Sequence, residues 1–190
     1  MDKNILKNKR GLTLVEIVVS TTLFSIVIYI TFAIFQGVVV SQRSTVISQN
    51  VQEATRYAFE VMSKEIRMAQ KRRAACALTS NRKVYDTNDN TAPYVGSELR
   101  FVNTDNLCTT YYLAGGQLFV RRGAENFAIT PDDITLTNLN FSVTDDVFGA
   151  AAPTTQSRVT ISVEASQGGG PNVIGENIRL QTTISSRSYQ

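Results

Sequence analysis

From Ile17 to Val40 the chain runs for 24 residues without a charged side chain. A helix rises about 1.5 Å per residue, so about 20 apolar residues cross the hydrocarbon core of a bilayer. The run is long enough to span with a little to spare. Its β-branched residues, Ile17, Val18, Val19, Ile26, Val27, Ile28 and Ile30 among them, would lower helicity in water. In lipid the segment must still be helical, because the backbone has no other way to satisfy its hydrogen bonds. Two other readings are weaker. A core helix of this length without a charge is unusual. A cleaved secretory signal has a shorter apolar region followed by a small-residue site, and no such site follows here. A membrane span is the expectation.

The net charge of +3 over 190 residues is concentrated at one end. Lys3, Lys7, Lys9 and Arg10 against Asp2 account for all of it within residues 1–11, and the remainder balances. The positive-inside rule then keeps residues 1–11 in the cytoplasm and puts residues 42–190 on the outer side. A basic chain would otherwise suggest a nucleic-acid binder; an address label followed by a neutral body does not. The sequence contains no His, which removes the commonest general base and the commonest transition-metal ligand. No GxSxG or Walker motif is present either, so neither an enzyme nor a bound cofactor or metal is expected.

Residues 41–73 continue as a helix without Pro or Gly. Ile47, Val51, Ala54, Ala58, Val61 and Ala69 fall mostly at three- and four-residue steps and form an apolar stripe. The whole helix, from Leu12 to about Gln70, would be roughly 90 Å long. Beyond Arg73 come short runs rich in Thr, Val and Ile, broken by Gly, Pro, Asn and Asp. Residues 98–103, 108–114, 117–122, 133–145, 157–166 and 177–187 read as strands, with a hairpin at Ala114-Gly115-Gly116-Gln117. An antiparallel sheet laid on the helical stripe gives an α+β head.

Several features of the outer part carry two readings each. Cys76 and Cys108 lie on the oxidising side, where a pair is usually a disulfide. A bridge closing that loop would stabilise by roughly 3–4 kcal/mol; the alternative is two buried thiols. Asp86-Thr87-Asn88-Asp89-Asn90 begins like a calcium loop, but Thr91 stands where the pattern wants Gly and Ser97 where it wants Glu. An Asx-rich turn is the better expectation. Asp132-Asp133 and Asp145-Asp146 read as turns flanking strands. Lys71-Arg72-Arg73 and Arg121-Arg122 carry two readings, phosphate contacts or solvated groups, and no interleaved aromatic residues support the former.

Glu16 is the residue out of place, an acid at the start of the apolar helix. Such a group either sits among headgroups and does nothing, or is functional. Around it, Lys9-Arg10-Gly11, then Leu12-Thr13-Leu14-Val15-Glu16, then the long apolar run closely resemble the class III signal of type IV prepilins. The resemblance covers residues 9–40. It implies that a membrane peptidase cuts between Gly11 and Leu12, that Leu12 is N-methylated, and that Glu16 is the fifth mature residue. It further implies that the new α-amine of one subunit neutralises the Glu16 carboxylate of a neighbour in a filament, setting the stagger of the helices. The chain departs from many major pilins in having no Pro in mid-span, at Ile30-Thr31-Phe32-Ala33-Ile34. That fits a minor pilin or pseudopilin better.

Looser likenesses point to the W-type minor pilins and J-type pseudopilins: Ser63-Lys64-Glu65-Ile66-Arg67, Tyr111-Tyr112-Leu113, and Leu180-Gln181-Thr182-Thr183-Ile184 followed by Arg187. The implied organisation is a leader over 1–11, a transmembrane or filament-core half-helix over 12–40, an amphipathic half over 41–73 and a β-rich head over 74–190. The implied role is a structural subunit near a filament tip that primes assembly. Its implied partners are the prepilin peptidase and methyltransferase, other pilins, and an inner-membrane platform with a cytoplasmic ATPase. A tip adhesin or DNA-binding subunit is the alternative, and a plain single-pass ectodomain a third.

Overall fold

The computed structural model describes residues 11–71, 76, 84–88, 94–145, 155–168 and 176–187. The chain divides into two compact units, Met1–Arg43 and Ser44–Gln190. Helix α1, Leu14–Arg67, supplies the described residues of the first unit after Thr13 and then the opening part of the second. Expected to run from Leu12 to about Gln70, it is shorter at both ends. At its start Thr13 acts as the N-cap, since its Oγ1 accepts from the Glu16 N–H at 3.2 Å. At its finish Met68 and Ala69 donate to the carbonyls three residues back, tightening the last turn before the chain leaves.

Among the described residues nine strands follow: β1 Asp86–Thr87, β2 Val95–Gly96, β3 Glu98–Val102, β4 Cys108–Ala114, β5 Gln117–Arg122, β6 Glu125–Ala128, β7 Ile134–Thr144, β8 Arg158–Gln167 and β9 Glu176–Ser185. They do not form one sheet. One five-stranded sheet has the order β1-β3-β4-β5-β6, and one four-stranded sheet has the order β2-β7-β8-β9. Every pairing is antiparallel. The architecture is α+β: one long N-terminal helix and antiparallel sheets.

The β4–β5 hairpin turns on Gly115 and Gly116, with φ of 57° and 82°. Two successive left-handed residues make the type I′ turn whose twist suits a two-residue hairpin, and only Gly adopts both without strain. The same tip links the two sheets. Leu136 donates its N–H to the Gly116 carbonyl at 2.7 Å, and a Cβ on Gly116 would stand 3.1 Å from a Thr135 methyl.

Strand β7 carries a bulge between Thr137 and Asn140, where Asn138 takes a φ of +50°. Before it the buried residues are Ile134 and Leu136; after it they are Leu139, Phe141 and Val143. The bulge shifts the alternation by one residue, so both halves of the strand send apolar side chains inward. Within the second unit, Val51, Ala58, Met62 and Ile66 from α1 join Phe101 and Tyr111 from one sheet and Phe141, Ile161 and Ile184 from the other in one core. Of the expected stripe, Val51, Ala58 and Ala69 are buried, whereas Ile47, Ala54 and Val61 are only half-buried. Thr55, Met62 and Ile66 fill the helical face instead.

Candidate functional site

The expected processing segment is described from Gly11 onward. Residues 11–13 lie outside the helix and are exposed, and every side chain from Gly11 to Val38 is exposed. Leu12 is 70 % and Leu14 79 % exposed. Thr13 and Glu16 stand in N-cap and N3 positions, a Thr-x-x-Glu spacing that holds the acid in the first helical turn. A negative side chain is favourable there, because the unpaired N–H groups give that end a partial positive charge.

Between Ile17 and Val40 the polar side chains are Ser20, Thr21, Thr22, Ser25, Tyr29, Thr31 and Gln36, and four of the hydroxyls turn back on the helix. Thr21 donates its hydroxyl to the Ile17 carbonyl at 2.9 Å, Thr22 to Val18 at 2.8 Å, Ser25 to Thr21 at 2.8 Å and Thr31 to Val27 at 2.9 Å. Hydroxyls satisfied in this way cost little in hydrocarbon. Glu16 is thus the lone charged side chain among the described residues before Arg43. The helix is long and apolar enough to cross a membrane. With the signal before it, it fits a single-pass anchor.

In the second unit, chain segments far apart in sequence converge on the end of α1. Tyr85 donates its phenol to the Ile66 carbonyl at 2.6 Å, and the Arg187 N–H donates to the Arg67 carbonyl at 3.1 Å. The Arg67 carbonyl, left over by the helix, is thereby capped, and the Ile66 carbonyl, which already accepts from the Ala69 N–H, gains a second donor. Glu65 accepts from the Tyr111 phenol at 2.7 Å and from Arg122, with which it also forms an ion pair. Burial pushes both phenols well above the usual tyrosine range, and for Tyr111 the bond to Glu65 adds to the shift. Beside them Asp145, 3 % exposed, accepts from the N–H groups of Val84 at 2.6 Å and Tyr85 at 3.2 Å and from the Ser157 hydroxyl. Asp145, expected to flank a strand, does follow the last residue of β7, and it is buried there as a clasp; Asp146 lies outside the described residues.

Cys76 and Cys108 are joined in a disulfide, with Cα atoms 5.0 Å apart and a separation of 32 positions in sequence. It ties the chain after α1 to the first residue of β4.

The Asx-rich segment is described at Asp86, Thr87 and Asn88. Asn88 donates to the Ser97 hydroxyl at 3.1 Å and accepts from the Glu98 N–H at 3.2 Å, and Glu98 pairs with Arg100 at 2.7 Å. Asp86 is fully buried in β1 opposite Arg100. Asp89, Asn90 and Thr91 lie outside the described residues. Among the described residues no cluster of three acids, cysteines or histidines is arranged to hold a metal.

Two of the basic groups have partners among the described residues. Arg122 belongs to Glu65, and Arg121 lies over the Tyr112 ring at 5.8 Å, so an aromatic partner does interleave, from the neighbouring strand. Tyr112 in turn stacks on Phe119 at 5.8 Å, so Arg121 stands on a short aromatic row. Arg72 and Arg73 lie outside the described residues, as do Lys3, Lys7, Lys9 and Arg10.

Residues 6–31 match the family described as the prokaryotic N-terminal methylation motif. No curated protein and no solved structure matches the chain. The motif spans the expected cleavage junction, Glu16 and the first half of the apolar run. It supports a type IV pilin-like or pseudopilin precursor, and with it a structural subunit processed by a prepilin peptidase and assembled with other pilins.

Proposed function

We propose that the chain is a minor pilin or pseudopilin, made as a membrane-anchored precursor and then extracted into a helical filament near whose tip it primes assembly. The observation that carries this is a coincidence at one place. The methylation motif over residues 6–31 overlies the start of an exposed apolar stretch of α1 whose one charged side chain before Arg43, Glu16, sits in the first turn. Cleavage falls between Gly11 and Leu12, the methyl group goes onto the Leu12 amine, and residues 1–11 remain in the cytoplasm as the leader. Residues 12–40 serve as the transmembrane and later the filament-core half of the helix. Residues 41–73 and 74–190 form the amphipathic half and the head on the outer side of the membrane.

Glu16 carries the assembly step. An isolated carboxylate in a bundle of apolar helices costs several kcal/mol. The α-amine created at Leu12 stands four residues away in sequence, and a neighbour's amine offsets that cost only at one stagger. An inner-membrane platform with a cytoplasmic ATPase would drive the extraction. The test is Glu16→Ala in the producing cell. The variant should fractionate with membranes as the parent does, yet be missing from sheared filaments. Normal incorporation into filaments would sink the role given to Glu16.

A further inference from the structure

Four strands lie at sheet edges, and three of them are short: β1 and β2 have two residues each and β6 has four. The fourth, β9, has ten, and it pairs with β8 in unbroken register from Gln167↔Glu176 to Arg158↔Ser185. Folded proteins normally blunt such an edge with Pro, a bulge, short length or an inward-pointing charge. From Asn177 to Ser185 there is no Pro or Gly, no register shift, and one charge, Arg179, which faces outward and pairs with Glu164 at 2.5 Å. Among the described residues, no strand lies along its outer side.

The side chains of β9 indicate what fits there. Ile178, Leu180 and Thr182 lie on the core face and remain half-exposed, because the sheet ends beside them. Asn177, Arg179, Gln181 and Thr183 lie on the opposite, exposed face. An occupant must therefore be an extended strand with the same alternation, and β9 is itself such a strand. Set antiparallel to its own copy about Leu180, it brings Leu180 against Leu180, Ile178 against Thr182 and Arg179 against Gln181. Each residue meets one from its own face, and no like charges face each other.

We propose that β9 is a self-association edge, through which two copies of this chain join their four-stranded sheets into one. The proposal concerns the head and does not rest on the filament reading. It is tested on the intact precursor in detergent, without peptidase or assembly machinery, so its failure leaves that reading untouched. Sedimentation should find a reversible dimer. Gln181 is exposed, so changing it does not threaten the fold, and symmetry sets it opposite Arg179 twice. Gln181→Glu should tighten the dimer about fivefold and Gln181→Lys should weaken it by a similar factor. Leu180→Cys should give a cross-linked dimer on mild oxidation, and Thr160→Cys, on the exposed face of the interior strand β8, should not. A monomer at all concentrations, a dimer indifferent to the charge at position 181, or equal cross-linking at both cysteine sites would overturn the proposal.

Discussion

Asp145 offers the sharpest test of how the head is held together. The substitution is Asp145→Ala. It removes the acceptor for two backbone N–H groups, at Val84 and Tyr85, whose residues are 1 % and 0 % exposed. A buried donor left without a partner costs about 1–3 kcal/mol, so the two together cost about 2–6 kcal/mol. The Ser157 hydroxyl also loses its acceptor, but it can rotate towards another and adds less. A domain of this size has about 5–15 kcal/mol in total, and each kcal/mol lowers Tm by about 2–4 °C. A central loss of about 4 kcal/mol therefore predicts a fall of about 8–16 °C in the near-ultraviolet circular dichroism melt. Asp145→Asn keeps one carboxamide oxygen as an acceptor and should fall between that variant and the parent. If Asp145→Ala melts within about 2 °C of the parent, the clasp contributes little and the reasoning fails.

Two further predictions concern the same end of the head. The phenols of Tyr85 and Tyr111 titrate above their unfolded value of about 10, so their contribution is intact below that pH and is lost as pH rises beyond it. Denaturation monitored between about pH 8 and 12 should show stability falling from about pH 10 upward, and Tyr85→Phe with Tyr111→Phe should flatten the fall. Reducing the Cys76–Cys108 bridge, or replacing both cysteines with Ser, should cost roughly 3–4 kcal/mol by urea titration; an unchanged midpoint would show that the loop is held by other contacts.

How much of this was legible in the sequence depended on range. Glu16 and Thr13 are three residues apart, so the cap that places the acid can be read directly from Thr13-x-x-Glu16. The apolar run declares itself by length. The β4–β5 hairpin is announced by Gly115-Gly116, because two left-handed residues in succession leave few alternatives. By contrast, alternation tells which face of a strand is buried and not which strand lies beside it. The division into two sheets is therefore invisible, although β3, β4, β5, β7, β8 and β9 fall close to their expected places. Strand β6, Glu125-Asn126-Phe127-Ala128, is exposed throughout and has no apolar rhythm to reveal it.

The contacts at the end of α1 were hidden for a related reason. Glu65 meets Tyr111 across 46 residues and Arg122 across 57, and Asp145 meets Val84 across 61. No local pattern encodes such a meeting. A hint lay in composition: Glu65 stands between Met62 and Ile66 on the buried side of the helix, where a charge must find a partner. The same long range misdirected the reading of Arg122, which looks like a free cation beside Arg121 until Glu65 is placed against it.

The central claim is that residues 1–11 are a leader and that the working subunit begins at Leu12. Purifying the protein from its native membrane and determining its N-terminus by mass spectrometry tests this most directly. The expected product is a mature chain that starts at Leu12, carries one methyl group on that α-amine and lacks the leader. A protein that retains Met1 through Gly11, or that is cut elsewhere, would contradict it.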